Sequence, residues 1–219
     1  MATKNRWDKR DHSMLYHKVE LRKRNLPETA SVLDLFCGTG QLYRSVYEGH
    51  VQFYHGVDHK QIHDPKLCTL QNNNVYIQTH DLGRYNVFDL DDYGCPWKEL
   101  HLVMAKARQP EITVFVTDGL VVHLKVISLL SASKILSATE QIPRSMKVPG
   151  LNRWYVDTFG TMLQGIERRS GYHAVKAQYF RNARETVYYW YILFRKVQNE
   201  EDKAIQGRKA NSRSALRDS

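Results

Sequence analysis

Ser31-Val32-Leu33-Asp34-Leu35-Phe36-Cys37-Gly38-Thr39-Gly40 is an apolar run, interrupted only by Asp34, that breaks into a glycine turn. The run is too short and too β-branched at its start for a helix, so it predicts a buried strand. The glycines remove Cβ atoms where the chain must turn and let a ligand approach the backbone. Gln41 to Tyr47 can then form a helix. Strand, glycine turn and helix, in that order, bind nucleotide-like ligands at the carboxyl end of a parallel sheet. Arg44 or Ser45 stands where a dinucleotide fingerprint needs its third glycine, and no Gly-Lys-Ser/Thr of a phosphate loop follows.

Outward from this stretch, strands and helices alternate. Gln52 to Asp58 predicts a second strand ending in an acid, and such an acid can accept both hydroxyls of a bound ribose. His59, Lys60, His63 and Asp64 follow at a spacing that fits no strong metal signature. Asn74 to Gln78 predicts a third strand, with His80 and Asp81 at its end, and Tyr85 to Asp91 a fourth. Trp97 to Ala107 predicts a helix begun after Pro96. Glu111 to Gly119 predicts a fifth strand and turn, apolar enough to be buried on both faces. His123 to Leu136 carries a helical apolar pattern, and Gln141 to Gly150 predicts a loop bordering the substrate cleft. Trp154 to Arg168 predicts a helix stopped by Gly171. Tyr172 to Phe180 and Thr186 to Val197 predict a hairpin whose second strand is interior rather than an exposed aromatic platform.

The 219 residues, 42% of them hydrophobic, suit one domain. We expect a basic N-terminal extension over 1–27, a catalytic domain over 28–197 and a polar, disordered tail over 198–219. No apolar run reaches membrane-spanning length and no signal pattern is present, so the expectation is a cytoplasmic protein without a membrane partner. Cys37, Cys68 and Cys95 have no paired spacing, which suits a reducing compartment and predicts no metal site. Basic residues outnumber acidic ones 32 to 23, for a formal charge of +9, which makes a nucleic acid a plausible partner. His12 to Arg24, basic and aromatic, predicts a short packed helix.

Asp34-Leu35-Phe36-Cys37-Gly38-Thr39-Gly40 resembles the first motif of class I S-adenosylmethionine-dependent methyltransferases. The resemblance implies an α/β, Rossmann-like seven-stranded sheet of order 3-2-1-4-5-7-6, with helices on both faces and the last strand antiparallel. It also implies S-adenosyl-L-methionine as cofactor and S-adenosyl-L-homocysteine as product. Asp34, Phe36, Gly38, Thr39 and Gly40 would face the methionine portion, Asp58 and His59 the ribose, and Asp81 and Leu82 the adenine. A cap for the next turn is the alternative reading of Asp81.

Asp89-Leu90-Asp91-Asp92-Tyr93-Gly94-Cys95-Pro96 resembles the D-L-D-P-Y-G-S-P loop of tRNA guanine-N2 dimethyltransferases and, more distantly, the loops of other nucleic-acid amino-methyltransferases. The resemblance makes Asp91 the catalytic acid, also beside the cofactor, and Tyr93 the stacking aromatic, with Gly94 and Pro96 as turn residues. Asp92 stands where those enzymes have proline. Asp92, Gly94, Pro96, Trp97, Arg144 and Lys147 are the candidate substrate contacts. The first motif is also similar to that of cytosine-C5 methyltransferases, but their nucleophile lies in a Pro-Cys loop, and here the order is Cys95-Pro96.

The function expected is N-methylation of an exocyclic amine of a base in RNA, less readily DNA. The alternatives are a small-molecule or protein methyltransferase, or an inactive cofactor- and nucleic-acid-binding partner of another protein. With DNA as substrate the location would be nucleoid or nuclear.

Overall fold

The computed structural model describes residues 12–92, 94, 96–119, 159–160, 163–182 and 187–197. The expected helix over 123–136, the loop over 141–150, the hairpin residues Ala183 and Arg184 and the tail over 198–219 lie outside them, as do Tyr93, Arg144 and Lys147.

Seven strands form one sheet: β1 (Ser31–Asp34), β2 (Phe53–Asp58), β3 (Cys68–Leu70), β4 (Val87–Leu90), β5 (Glu111–Asp118), β6 (Tyr172–Arg181) and β7 (Tyr188–Lys196). Their order is β3-β2-β1-β4-β5-β7-β6. Neighbours from β3 to β5 pair in parallel, and β7 runs antiparallel to both β5 and β6. This is the order and the antiparallel last strand expected. β7 sits between β5 and β6 and is buried over most of its length, so its aromatic run is interior.

Period-two alternation sends each strand's side chains to two faces. Ile112, Val114 and Val116 of β5 enter one apolar cluster with Leu33, Phe88 and Leu90, whereas Phe115 enters the other with Val32 and Val87. Helices α2 (Asn73–Thr79) and α3 (Trp97–Lys106) cover the first face, together with helical residues 163–170. In α3 the buried Trp97, Leu100 and Met104 recur at helical spacing and make the apolar stripe that packs there. Helix α1 (His12–Asn25) and a π-helical turn at Tyr43–Tyr47 cover the second face.

The expectation of a strand over Asn74–Gln78 is wrong: this segment is α2. The Asn72 side chain accepts hydrogen bonds from the backbone N–H of Asn74 and Val75, which caps the helix start. Lys106 Nζ of α3 donates to the carbonyls of Ile77, Gln78 and His80 at 2.7–2.9 Å, which satisfies the helix end. These end groups outweigh the β-forming tendency of Val75, Tyr76 and Ile77. The third strand is instead Cys68–Leu70, paired to β2 from Gly56↔Cys68 onward.

Candidate functional site

The carboxyl ends of the parallel strands open onto a cleft of about 370 Å³. The turn after β1 contributes Asp34, Phe36, Cys37, Gly38 and Thr39, and the end of β2 contributes Asp58, His59, Lys60 and Gln61. Asp91 and Asp92 follow β4, Tyr189 comes from β7, and Met14, Leu15 and Lys18 of α1 close one side. Most of the candidate cofactor residues therefore meet in one place.

Gly38 and Gly40 take φ values of +47° and +72°, a region most side chains avoid. The Gly38 N–H donates to Asp58 Oδ2 at 3.2 Å, tying the β1 turn to the end of β2. Asp58 Oδ1 accepts from the N–H groups of Lys60 and Gln61 at 2.7 and 3.3 Å. Gly40 does not line the cleft, but the His63 ring packs so closely that an added Cβ would stand 2.4 Å from it. Gly40→Ala therefore meets both a backbone and a steric obstacle. The left-handed backbone alone costs about 1–2 kcal/mol, so folding stability is expected to fall by at least that much, with a lower denaturation midpoint. Adding His63→Ala is expected to recover the steric part only, and an unchanged midpoint in Gly40→Ala would contradict this geometry.

Beneath the cleft, Asp34 and Asp89 lie opposite each other in the β1–β4 register, both buried. Asp89 is met by a fork of Arg22, with Nε to Oδ2 at 2.7 Å and Nη2 to Oδ1 at 2.6 Å, and Tyr47 donates to Oδ2. Asp91 Oδ1 accepts from Lys18 Nζ at 2.6 Å and from the Thr117 hydroxyl. The two cations match the two acids by geometry. Residues four apart on a helix rise about 6 Å on one face, and residues two apart on a strand about 6.6 Å. Lys18 and Arg22 thus reach Asp91 and Asp89 as successive rungs. Burial alone would raise the Asp91 carboxyl, but the Lys18 ammonium and Arg22 guanidinium outweigh it, and Asp91 is held below the usual carboxylate range.

Asp34 behaves in the opposite way. Burial, and then the Asp89 charge, push its carboxyl well above the ordinary value, although the Tyr54 hydroxyl and Phe36 N–H donate to it. The unfolded group ionises near pH 4, while the folded one keeps its proton to higher pH. Its contribution to stability is therefore full below the unfolded value and declines as pH rises toward the folded value. Asp34→Asn, neutral throughout, is expected to lack that decline. Urea midpoints measured from pH 4 upward should shift in favour of the variant, and parallel curves would contradict the assignment.

Other candidates lie elsewhere. Asp81 is exposed, with Oδ1 accepting from the Gly83 N–H at 3.1 Å and standing 3.6 Å from Arg108, the turn-capping alternative; Leu82 is fully buried in the core. Neither lines the cleft. Trp97 is buried, donates from Nε1 to Asp118 Oδ2 at 2.6 Å and packs edge-on to Phe159. Pro96 caps α3, and the Gly94 carbonyl accepts from the Gly119 N–H at 2.7 Å, which fixes the loop after β4. Lys18 carries no motif and becomes visible only through its contact with Asp91.

Cys37 and Cys68, remote in sequence, meet as free thiols with His63 beside them. Their mutual hydrogen bond pushes the Cys37 thiol up, with burial adding to the rise, and holds Cys68 down at about 7.

No protein-family model and no curated protein sequence matches the chain. Solved structures do. M. jannaschii TYW2 in complex with AdoMet aligns at a TM-score of 0.51 and 9% identity, over 88% of this chain and 79% of that one. The N-methyltransferase NodS from Bradyrhizobium japonicum WM9, in complex with S-adenosyl-L-homocysteine, aligns at 0.51 and 11% identity, over 90% of this chain and 94% of that one. A Lactococcus lactis protein described as a hemolysin aligns at 0.53 and 11% identity, over 83% and 88%. At such identities the likeness is one of fold, and the sheet of this chain is that of the class I methyltransferases. Among the described residues, no helix is long and apolar enough to cross a membrane.

Proposed function

We propose that the chain is an S-adenosylmethionine-dependent N-methyltransferase acting on an exocyclic amine of a base in RNA. The observation that carries this reading is the convergence of Asp34, the Gly38 turn, Asp58 and Asp91 on one cleft at the carboxyl ends of β1, β2 and β4. The residues fit the cofactor. The cleft lies in the size range of small-molecule sites. Asp58 Oδ2 accepts a single hydrogen bond among the described residues, which leaves a lone pair for a ribose hydroxyl.

When bound, S-adenosylmethionine would supply an activated methyl carbon for transfer to the amine nitrogen, with S-adenosylhomocysteine as the product. Asp91 accepts a hydrogen bond from the amine and turns its lone pair toward that carbon. Lys18 and Thr117 both hold Oδ1, so Oδ2 is the oxygen offered to the substrate. By keeping Asp91 ionised, Lys18 gives the site a negative charge where positive charge develops on nitrogen. The surplus proton leaves to solvent with or after transfer. The formal charge of +9 supports a nucleic-acid substrate, and the likeness of the Asp89–Pro96 loop to that of tRNA guanine-N2 dimethyltransferases favours RNA.

A second reading, an inactive cofactor-binding partner subunit, is favoured by Asp92, which stands where the amino-methyltransferase loop it resembles has proline. Transfer of labelled methyl groups to RNA and DNA pools, followed by nucleoside mass analysis, separates the readings. The expected product is an N-methylated nucleoside from RNA. Label in DNA alone, or in a small-molecule or protein fraction alone, would reassign the substrate. Cofactor binding with no transfer to any pool would favour the inactive partner.

A further inference from the structure

Cys37, His63 and Cys68 converge beside the turn after β1, and one donor atom from each lies within 4.8 Å of the other two. Cys68 Sγ stands 3.4 Å from His63 Nδ1. A tetrahedral zinc ion, with bonds of about 2.3 Å to sulfur and about 2.0 Å to nitrogen, sets its donor atoms roughly 3.5–3.8 Å apart. The three side chains need little adjustment to reach that arrangement. Both cysteines are buried, and neither is committed to a disulfide.

Gly56, inside β2, makes the meeting feasible. A Cβ there would stand 2.7 Å from Cys68 Sγ and 2.8 Å from Cys37 Cβ, so any larger residue would fill the space the thiols share. His63 is held from its other side by the Tyr43 ring, stacked at 5.0 Å between centroids. Two sulfurs and one imidazole suit a thiophilic, borderline ion and disfavour magnesium or calcium, which prefer oxygen donors.

We propose that Cys37, His63 and Cys68 are the protein ligands of one zinc-class divalent ion, with water in the fourth tetrahedral position. On ligation each thiol gives its proton to solvent and binds as thiolate, and no electron is transferred. The ion joins the β1 turn, through Cys37, to the β2–β3 connection and β3, through His63 and Cys68. These segments form one wall of the cleft, so metal loading stiffens it. The inference is independent of the methyl-transfer reading, since it needs neither cofactor nor substrate.

The test uses the full chain, purified under reducing conditions, stripped with a chelator and titrated with cobalt(II) and then zinc(II). One equivalent of cobalt is expected to give a thiolate-to-cobalt charge-transfer band and the intense visible absorption of a tetrahedral site, both bleached by zinc. Cys68→Ser and His63→Ala should each weaken zinc binding about tenfold or more. Because substitution at a buried site can unfold the chain, the wild type supplies a second readout. Zinc should slow alkylation of Cys37 and Cys68, mapped by peptide mass. A folded, reduced wild type without cobalt bands, equal bands in wild type and folded variants, or alkylation indifferent to zinc would each overturn the proposal.

Discussion

Arg22→Met lowers folding stability by about 3–5 kcal/mol, the cost of stranding a buried partner charge. Arg22 is 1% exposed and Asp89 0%, so neither charge falls back on water when its partner is lost. The pair is held by two fork contacts at 2.6 and 2.7 Å, and Arg22 Nη1 also donates to the Lys18 carbonyl at 3.1 Å. An exposed ion pair would contribute about 1 kcal/mol or less, so the size of the loss separates the two situations. Urea denaturation with an unchanged m-value measures it directly. Replacing both partners, as in Arg22→Met with Asp89→Leu, should recover much of the loss, because an apolar pair of similar volume leaves no charge behind. The Tyr47 hydroxyl then lacks its acceptor, and a residue of about 1–3 kcal/mol should remain. A loss below about 1 kcal/mol in the single variant would mean that α1 is not anchored in this way.

On the proposed methyl transfer, Asp91→Asn is expected to lower kcat by roughly 10²–10³-fold, the range found when one positioned catalytic or charge-stabilising group is removed. Asparagine keeps the shape and can still accept a hydrogen bond from the substrate amine. It lacks the negative charge that offsets the charge developing on nitrogen. Persisting affinity for S-adenosylhomocysteine would show that the variant is folded and that the loss lies in transfer. Lys18→Met offers an independent check through pH. Lys18 holds Asp91 below the usual carboxylate range, so its removal should move the acid limb of the kcat/KM profile to higher pH. An acid limb that stays in place would exclude Asp91 as the group whose ionisation activity requires.

In the sequence β1, β2, β4 and β5 were legible because their apolar runs end in acids, and β7 because its run is strongly apolar and aromatic. The third strand failed for two reasons. Cys68–Leu70 spans three residues and has no alternation to detect. Val75-Tyr76-Ile77 has β-forming residues, and their helical state depends on Asn72 and on Lys106 of α3. The half of the cleft built from β1 and β2 was legible for a local reason: Asp34 and Gly38 fall in one motif, and Asp58 ends the next strand. The anchoring half was not. Lys18 to Asp91 and Arg22 to Asp89 are contacts between residues 73 and 67 apart in the chain, made when α1 folds over the sheet, and no spacing announces them. Asp81 is the reverse case, an acid at the expected place in the chain whose side chain takes the turn-capping alternative in its own loop. The meeting of Cys37 and Cys68 was hidden for the same reason, since β2 lies between their segments and carries Gly56 at that point.

Calorimetric titration of the full chain with S-adenosylhomocysteine, wild type against Asp58→Ala, tests the central claim most directly. One equivalent should bind the wild type. The variant should bind about ten- to a hundredfold more weakly, as expected for the loss of a hydrogen bond to a charged acceptor. A folded wild type that shows neither binding heat nor a shift in melting temperature would contradict the assignment of this cleft to the cofactor.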